Sequence, residues 1–216
     1  RDGRALPGLS DGEVDEYLTD RLTDEAIDFI RKHREAPFFL YLSHYGVHTP
    51  IQGESTLVQH YIEKGGTDGQ DNPTYAAMIH SIDEGVGRIL KVLADLALAD
   101  RTIVIFFSDN GGFGPVTSMA PLRGSKGMLY EGGIRVPLVV RWPTVVPANT
   151  VSDEPVIGLD LFPTLLDITG TPSSEGQALD GVSLLPVLRG SETLVQRDLF
   201  WHFPAYLEAD ASVMGP

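Results

Sequence analysis

A short stretch of the chain places a carboxylate beside an amide. Residues 108–112 read Ser-Asp-Asn-Gly-Gly, so Asp109 and Asn110 offer two neighbouring oxygen ligands. Hard divalent cations such as calcium and magnesium take oxygen ligands of these kinds. Asp, Asn and Gly are also the commonest turn residues, and these five residues taken alone fit a plain turn better. Which element carries them therefore decides how they are interpreted.

Two imidazoles lie close together in a second candidate segment. Residues 43–50 read Ser-His-Tyr-Gly-Val-His-Thr-Pro. A histidine can donate a hydrogen bond to a substrate oxygen or transfer a proton. His48 is a stronger candidate than His44, because it lies deeper in the loop and the following Thr49-Pro50 pair restricts the backbone. The alternative for either residue is an ordinary histidine with a backbone partner.

Cations and glycines are concentrated in residues 121–137. Lys126 lies between Gly124 and Gly127, where little steric cover separates its ammonium group from an anion. The segment is not a nucleotide-binding Walker A loop, since the G-x-x-x-x-G-K-[ST] spacing is missing and no strand leads into it. The alternatives are that the glycines form turns and that Arg135 pairs with a carboxylate.

Apolar runs indicate the elements that position these residues. In residues 38–42 and 102–107, apolar and polar residues do not alternate, which predicts strands buried on both faces. Residues 137–140 predict a third strand. Helices are predicted to begin at Thr23, at Asn72 and at Asp160. The helix that begins at Asn72 is the longest, and it carries a stripe of apolar residues at helical spacing, namely Ile79, Ile82, Val86, Ile89 and Leu93.

Helices that alternate with such strands predict an α/β domain with a mostly parallel sheet. Ligands of these sheets bind beyond the carboxyl ends of the strands. His48 follows the run at 38–42 and Asp109 follows the run at 102–107. We therefore expect both loops to contribute to one site.

The composition limits which partners are possible. The chain has 216 residues and a formal net charge of −14, which disfavours nucleic acid and anionic membrane surfaces as partners. No apolar run approaches the length of a membrane span, and residues 1–4 show no hydrophobic signal core. The chain contains no cysteine, so thiolate ligands, disulfides and cysteine nucleophiles are excluded. An anionic substrate would require positive charge concentrated at the site.

Several motifs in this order resemble those of the sulfatases, which belong to the alkaline phosphatase superfamily. The motifs are Ser-Asp-Asn-Gly-Gly at 108–112, Gly-x-Lys-Gly at 124–127, Glu-Gly-Gly-Ile-Arg-Val-Pro at 131–137, His-x-Pro at 48–50, Asp-Leu-Phe-Pro-Thr at 160–164 and Asp-Gly-Val-Ser-Leu at 180–184. The resemblance covers nearly the whole chain. It implies an incomplete alkaline phosphatase/sulfatase-like α/β fold.

The resemblance also implies a chemistry, namely calcium-dependent hydrolysis of a sulfate ester. By motif, Asp109 and Asn110 would be ligands of the single Ca²⁺ ion, and Lys126 and His48 would bind the sulfate group or assist the leaving oxygen. A sulfated small molecule or polysaccharide is the expected substrate, and a periplasmic or secreted location is implied. Arg135 and Glu131 match the family pattern and are expected to have only a structural role.

The chain also departs from the family pattern. Sulfatases form a formylglycine nucleophile from the Cys or Ser of a [C/S]-x-P-S-R motif, and this motif does not occur here. Their paired metal-binding aspartates are missing as well, so the chain alone is expected to be inactive. We assign residues 1–190 to the C-terminal part of the large catalytic domain and residues 191–216 to the start of a smaller C-terminal α+β subdomain.

Two alternatives remain open at this stage. The chain could belong to a phosphate or phosphonate ester hydrolase of the same superfamily, because oxygen ligands for a metal would serve either anion. It could also be a non-catalytic, sulfatase-like binding protein. An upstream nucleophile motif would distinguish the first alternative, and calcium binding would test part of the second.

Overall fold

The computed structural model describes residues 16–191 and 193–204, which form two compact units. The described part of the first unit comprises residues 16–99 and 115–118. Its helices are α1 (Leu18–His33), α2 (Ser55–Lys64) and α3 (Pro73–Asp95), and α3 packs against both of the others. The buried side chains of this unit include Ala26, Ile27, Ile30, Tyr75, Ala77, Met78 and Leu93.

Helix α3 begins where the sequence predicts. The Asn72 side chain accepts a hydrogen bond from the backbone N–H of Tyr75 at 2.9 Å, and Pro73 occupies the first turn. The buried face matches the predicted stripe only in part, since Leu93 is buried but Ile79 is 49% exposed. Tyr75, Met78, Ser81 and Gly85 also face the core, because α1 lies against the small residues of α3.

Helix α1 begins at Leu18, five residues before the predicted cap at Thr23. Thr23 is fully buried, and its hydroxyl donates to the carbonyl of Thr19 one turn earlier at 2.9 Å. The predicted cap was therefore wrong. A threonine inside a helix can satisfy its hydroxyl in this way, so the residue type alone does not mark a helix start.

The second unit contains the strands. Its described part comprises residues 100–114, 119–191 and 193–204. Strands β1 (Val104–Phe107) and β2 (Leu138–Arg141) pair antiparallel, with Phe107 opposite Leu138. The unit also holds the short α4 (Glu131–Ile134), α5 (Leu161–Thr169) and α6 (Leu185–Leu188). As predicted, α5 ends at Gly170, which adopts a left-handed conformation with φ of 62°.

The run at 38–42 was predicted to be a buried strand, and this was wrong for the described structure. These residues form no assigned strand, and the described part of the chain holds only the antiparallel pair β1–β2. Phe39 and Tyr41 are 70% and 80% exposed, whereas Leu40 and Leu42 line a groove against α1. An extended segment joins a sheet only where a partner strand lies beside it. No such partner lies among the described residues.

None of the helices in the described ranges is both long and apolar enough to cross a membrane. The boundary predicted at residue 190 stays a prediction. Residue 192 and residues 205–216 of the predicted subdomain lie outside the described residues, as does the N-terminal stretch that we searched for a signal core.

Candidate metal and anion site

The turn with the predicted metal ligands follows β1 directly. The Ser108 N–H donates to the carbonyl of Pro137 at 3.3 Å, and the Ser108 hydroxyl donates to the Asn110 carbonyl at 3.0 Å. The side-chain NH₂ of Asn110 donates to the Gly111 carbonyl at 2.9 Å. This contact orients the Asn110 amide and leaves its oxygen available to a ligand.

The Asp109 carboxylate is exposed, and it has no ion pair or hydrogen bond within the described part of the chain. A carboxylate in a purely structural turn commonly accepts a bond from the backbone two residues later. Asp109 accepts no such bond. The structure therefore places a free carboxylate beside a free amide oxygen at the end of a strand.

Backbone hydrogen bonds tie this turn to the Lys126 loop. The Gly111 N–H donates to the carbonyl of Gly133 at 2.9 Å, and the Lys126 N–H donates to the carbonyl of Gly112 at 2.9 Å. The two segments, predicted separately from the sequence, are therefore one structural element in the second unit.

The glycines make this close approach of backbones possible. A Cβ atom on Gly111 would lie 1.8 Å from the carbonyl oxygen of Gly132, and one on Gly132 would lie 2.1 Å from the carbonyl oxygen of Gly124. Both separations are far below van der Waals contact. Gly124 does adopt a positive φ of 81°, as the turn interpretation requires. Gly111 and Gly132, in contrast, are required because any side chain there would collide with the neighbouring backbone.

Lys126 and the neighbouring arginines differ in how their charges are used. The Arg123 guanidinium lies 3.8 Å from the centre of the Tyr130 ring, and Arg135 Nη1 lies 3.6 Å from a Glu131 carboxylate oxygen. The Lys126 ammonium group has no ion pair or hydrogen bond within the residues described. It is thus available to an anion, and Arg135 pairs with Glu131 as a structural role would require.

The donor set fits part of a calcium shell. Ca²⁺ takes six to eight oxygen ligands, from carboxylates, amides and carbonyls. Asp109 and Asn110 provide ligands of the right kind, and both are free to coordinate. The described residues contain no group of three or more His, Asp or Glu that could hold a metal ion. Asp109 and Asn110 are therefore two candidate ligands, and their assignment to a calcium site stays a prediction.

His48 lies in the first unit, in the loop after the extended segment 38–42. Its ring is exposed, with Nδ1 3.0 Å from the carbonyl oxygen of Thr49 and 3.2 Å from the Thr49 hydroxyl. When Nδ1 donates to that carbonyl, Nε2 carries the free lone pair. Its assignment to the same site as Lys126 stays a prediction.

His44 has a different environment from His48. It is half-buried, and among the described residues its buried Nδ1 has no hydrogen-bond partner. Burial lowers the pKa of His44, which favours the neutral ring. His44 lies on the inward-facing side of the extended segment, together with Leu40 and Leu42.

A buried ion pair in the second unit was not predicted from the sequence. Asp160 has no exposed surface, and its carboxylate accepts bonds from the Ile157 N–H at 2.8 Å, the Val182 N–H at 2.9 Å and both terminal nitrogens of Arg197. Burial alone would raise the pKa of Asp160, but the bonds from Arg197 and the two N–H groups outweigh it and lower the pKa. The sequence indicated only a helix cap here. Asp160 does precede α5, but its side chain does not cap that helix.

The turn, the glycine contacts and the free ammonium group together define a candidate site for a metal ion and an anionic group in an α/β protein. A model of the sulfatase family matches residues 4–171. The chain therefore belongs to the sulfatase family. Its α/β class and its sulfatase-like fold, predicted from the sequence, are confirmed by this match and by the solved structures that resemble it.

Three relatives illustrate the similarity. A sulfatase from Formosa agariphila is 39% identical over 94% of this chain and 39% of its own length. Human steryl-sulfatase is 35% identical over 89% of this chain and 33% of its own length. The crystal structure of Ps i-CgsB in complex with k-i-k-neocarrahexaose is 37% identical, has a TM-score of 0.75 and matches 85% of this chain and 41% of that one. The chain thus spans between one third and about two fifths of the length of these three relatives.

Proposed function

We propose that this chain contributes to the calcium-dependent hydrolysis of a sulfate ester. The observation that carries the proposal is the pair of backbone bonds, Gly111 to Gly133 and Lys126 to Gly112, that joins two free oxygen ligands to a free ammonium group. A metal held by the oxygens and a cation beside it would together neutralise a bound sulfate. Membership in the sulfatase family supports this ester over a phosphate ester.

Each of the four side chains has a role in this proposal. Asp109 and Asn110 would hold the calcium ion, which acts as a Lewis acid on the sulfate oxygens when it is bound. Lys126 would bind a sulfate oxygen and stabilise the charge that develops during hydrolysis. His48 would bind the sulfate or protonate the leaving oxygen through Nε2, provided that both ring nitrogens carry hydrogens.

The attacking nucleophile is inferred from the sulfatase family and is not found in this chain. Sulfatases use a formylglycine, and this chain has neither a cysteine nor a serine in the required motif. We therefore infer that the chain supplies metal ligands and sulfate-binding groups but not the attacking group. The predicted subdomain boundary at residue 190 and export to a periplasm or the cell exterior are parts of the same proposal.

A sulfated carbohydrate is the substrate class that we propose. The support is the similarity to a structure solved in complex with the oligosaccharide k-i-k-neocarrahexaose, at 37% identity. The similarity to human steryl-sulfatase, at 35% identity, would instead support a sterol sulfate as the substrate. The oligosaccharide match is favoured because it also rests on a TM-score of 0.75 over 85% of the chain.

Calcium titration calorimetry on the purified chain tests the metal site. We expect Asp109→Ala and Asn110→Ala each to weaken calcium binding at least about tenfold, since even groups that only orient a ligand contribute this much. The matched control is Asp153→Ala, which removes another exposed carboxylate of the same unit. Calcium binding that is unchanged in Asp109→Ala, with an unchanged melting temperature, would remove Asp109 from the site.

A further inference from the structure

The side chain of Met119 makes a hydrogen bond to the backbone of the candidate site. Its Sδ accepts from the Gly112 N–H, and the two atoms are 3.2 Å apart. A thioether is a weak acceptor, but the flexible, unbranched methionine side chain can bring it to such a group. Both residues belong to the second unit, and both are half-buried. Among the described residues, the Gly112 N–H has no other acceptor.

Gly112 lies between the two halves of the candidate site. Asn110, a proposed metal ligand, is two residues before it, and the carbonyl of Gly112 accepts the Lys126 N–H at 2.9 Å. Gly112 therefore contacts Met119 through its N–H and the Lys126 loop through its carbonyl. A shift of Gly112 would change the position of the metal-ligand turn relative to the lysine that we propose to bind sulfate.

The backbone of Met119 is held within the second unit. Two bonds lead from it to the glycine-rich segment, the Leu122 N–H to the Met119 carbonyl at 2.8 Å and the Gly132 N–H to the Arg123 carbonyl at 2.7 Å. That segment is bonded in turn to the residue before Gly112. Bonds and chain neighbours thus form a closed ring, whose members are Gly111, Gly112, Met119, Leu122, Arg123, Gly132 and Gly133.

Met119 is the member of this ring whose bond depends on a side chain. The other hydrogen bonds of the ring join backbone groups, which every residue type except proline supplies. The bond from Gly112 exists only if residue 119 carries an acceptor at the reach of a thioether. Leucine has a similar volume and no acceptor, so that substitution removes the bond and largely preserves the packing.

We propose that Met119 is a positioning residue for the candidate metal and anion site. Its thioether holds the Gly112 backbone, and Gly112 fixes the spacing between the metal-ligand turn and the Lys126 loop. The inference rests on the proposed function, because the groups positioned are those assigned to calcium and sulfate. Met119 lies outside every motif that the sequence identified.

Amide hydrogen exchange followed by NMR and calcium titration, both on the purified chain, test this role. In Met119→Leu we expect exchange at the Gly112 and Lys126 amides to accelerate by about twofold to tenfold, as for the loss of one hydrogen bond. Calcium affinity should fall at least about twofold for the same reason. Met119→Gln places an amide oxygen at a similar reach and should restore both readouts.

Met128→Leu is the matched control. Met128 is another half-buried methionine of the same unit, and its sulfur accepts no hydrogen bond within the residues described. The control should leave both readouts unchanged. If Met119→Leu fails to fold, selenomethionine labelling of the unmodified chain decides, because it replaces the acceptor atom alone. The Gly112 amide proton resonance should then shift more than those of its neighbours, and the absence of such a shift would overturn the proposal.

The two readouts separate this role from the proposed function. Unchanged exchange at Gly112 in folded Met119→Leu would overturn the positioning role alone. Accelerated exchange with unchanged calcium affinity would also overturn it, since the bond would then stabilise the loop without affecting the site. Absence of calcium binding by the unmodified chain would overturn the proposed metal site and the positioning role with it.

Discussion

Asp109 and Asn110 illustrate what decides between a turn and a ligand at the scale of single residues. Both residue types favour turns, and their positions in the chain do not distinguish the two roles. The Asn110 amide bonds the adjacent Gly111 carbonyl through nitrogen, while Asp109 bonds nothing in the described structure. Oxygen atoms that the turn itself does not use are the ones a cation can use. The sequence could supply the residue types but not this distribution of bonds.

Asp160 is the residue whose removal should destabilise the second unit most directly. Asp160→Asn would leave the half-buried Arg197 guanidinium without its opposite charge, and one NH₂ group would face a donor. Breaking a buried pair by changing one partner costs about 3–5 kcal/mol. We expect a loss of this size in the free energy of unfolding from urea titrations at pH 7. Asp153→Asn, at an exposed position, should be neutral.

The same change has a defined pH dependence. The folded-state pKa of Asp160 is lowered, so its ionised form stabilises the fold above the unfolded-state pKa of about 3.9. That contribution is lost as the pH falls through the folded-state pKa. The stability difference between the unmodified chain and Asp160→Asn should therefore be constant from pH 7 to about 5 and should shrink below about pH 4. A difference that stays constant down to pH 2.5 would contradict this assignment.

At the scale of elements, two glycines of α3 should respond in opposite ways to the same substitution. A Cβ atom on Gly85 would lie 2.5 Å from the buried Thr23 hydroxyl of α1, whereas one on Gly87 would meet nothing within 4 Å. We expect Gly85→Ala to lower the free energy of unfolding by about 1–3 kcal/mol through overpacking. Gly87→Ala should raise it by up to about 1 kcal/mol, since alanine favours a helix.

Urea titration of the two alanine variants, each compared with the unmodified chain, measures both changes. The pair is internally controlled, because the positions are two residues apart on one helix and the substitution is identical. Equal effects at both sites would show that α1 does not pack on Gly85 as the structure has it.

The start of helix α3 and the positions of the two strands could be predicted because their signals are local, whereas the antiparallel pairing and the exposure of Phe106 and Phe107 could not. The Asn72-Pro73 start needs only its own turn. Residues 104–107 form an apolar run followed by a glycine-rich turn, and residues 138–140 form one preceded by such a turn. The start of α1 could not be predicted in this way. Thr23 bonds back to Thr19, and only the packing of Gly85 explains why a threonine is buried there.

In the second unit, too, some residues could be predicted from the sequence and others could not. The Asp109, Asn110 and Lys126 segments could be identified by residue type and motif. The Asp160–Arg197 pair could not, because it joins residues that are 37 apart in the sequence. No periodicity or turn signal encodes such a contact. A prediction from one sequence finds the residues with unusual chemistry and misses those that hold them in place.

At the scale of the whole molecule, the net charge of −14 would disfavour an anionic substrate only if it were spread evenly over the surface. The described cations are largely paired with carboxylates, as in Arg21 with Glu16 and Glu25, Arg88 with Asp24, and Lys91 with Asp95. Lys126 has no such partner among the described residues. Paired surface charges cancel at short range, so the field at the candidate site depends on the groups that are unpaired.

The last prediction concerns catalysis by the chain as a whole. The purified 216-residue chain should show no turnover of an arylsulfate in the presence of calcium, even though we expect it to bind the metal. Its sequence has no cysteine and no serine in the formylglycine motif, so no nucleophile accompanies the groups that we propose to bind sulfate. An arylsulfatase added to a parallel assay shows that the conditions permit turnover. Activity that copurifies with the chain and disappears in Lys126→Ala would contradict the prediction, since a contaminating enzyme would be unaffected by that substitution.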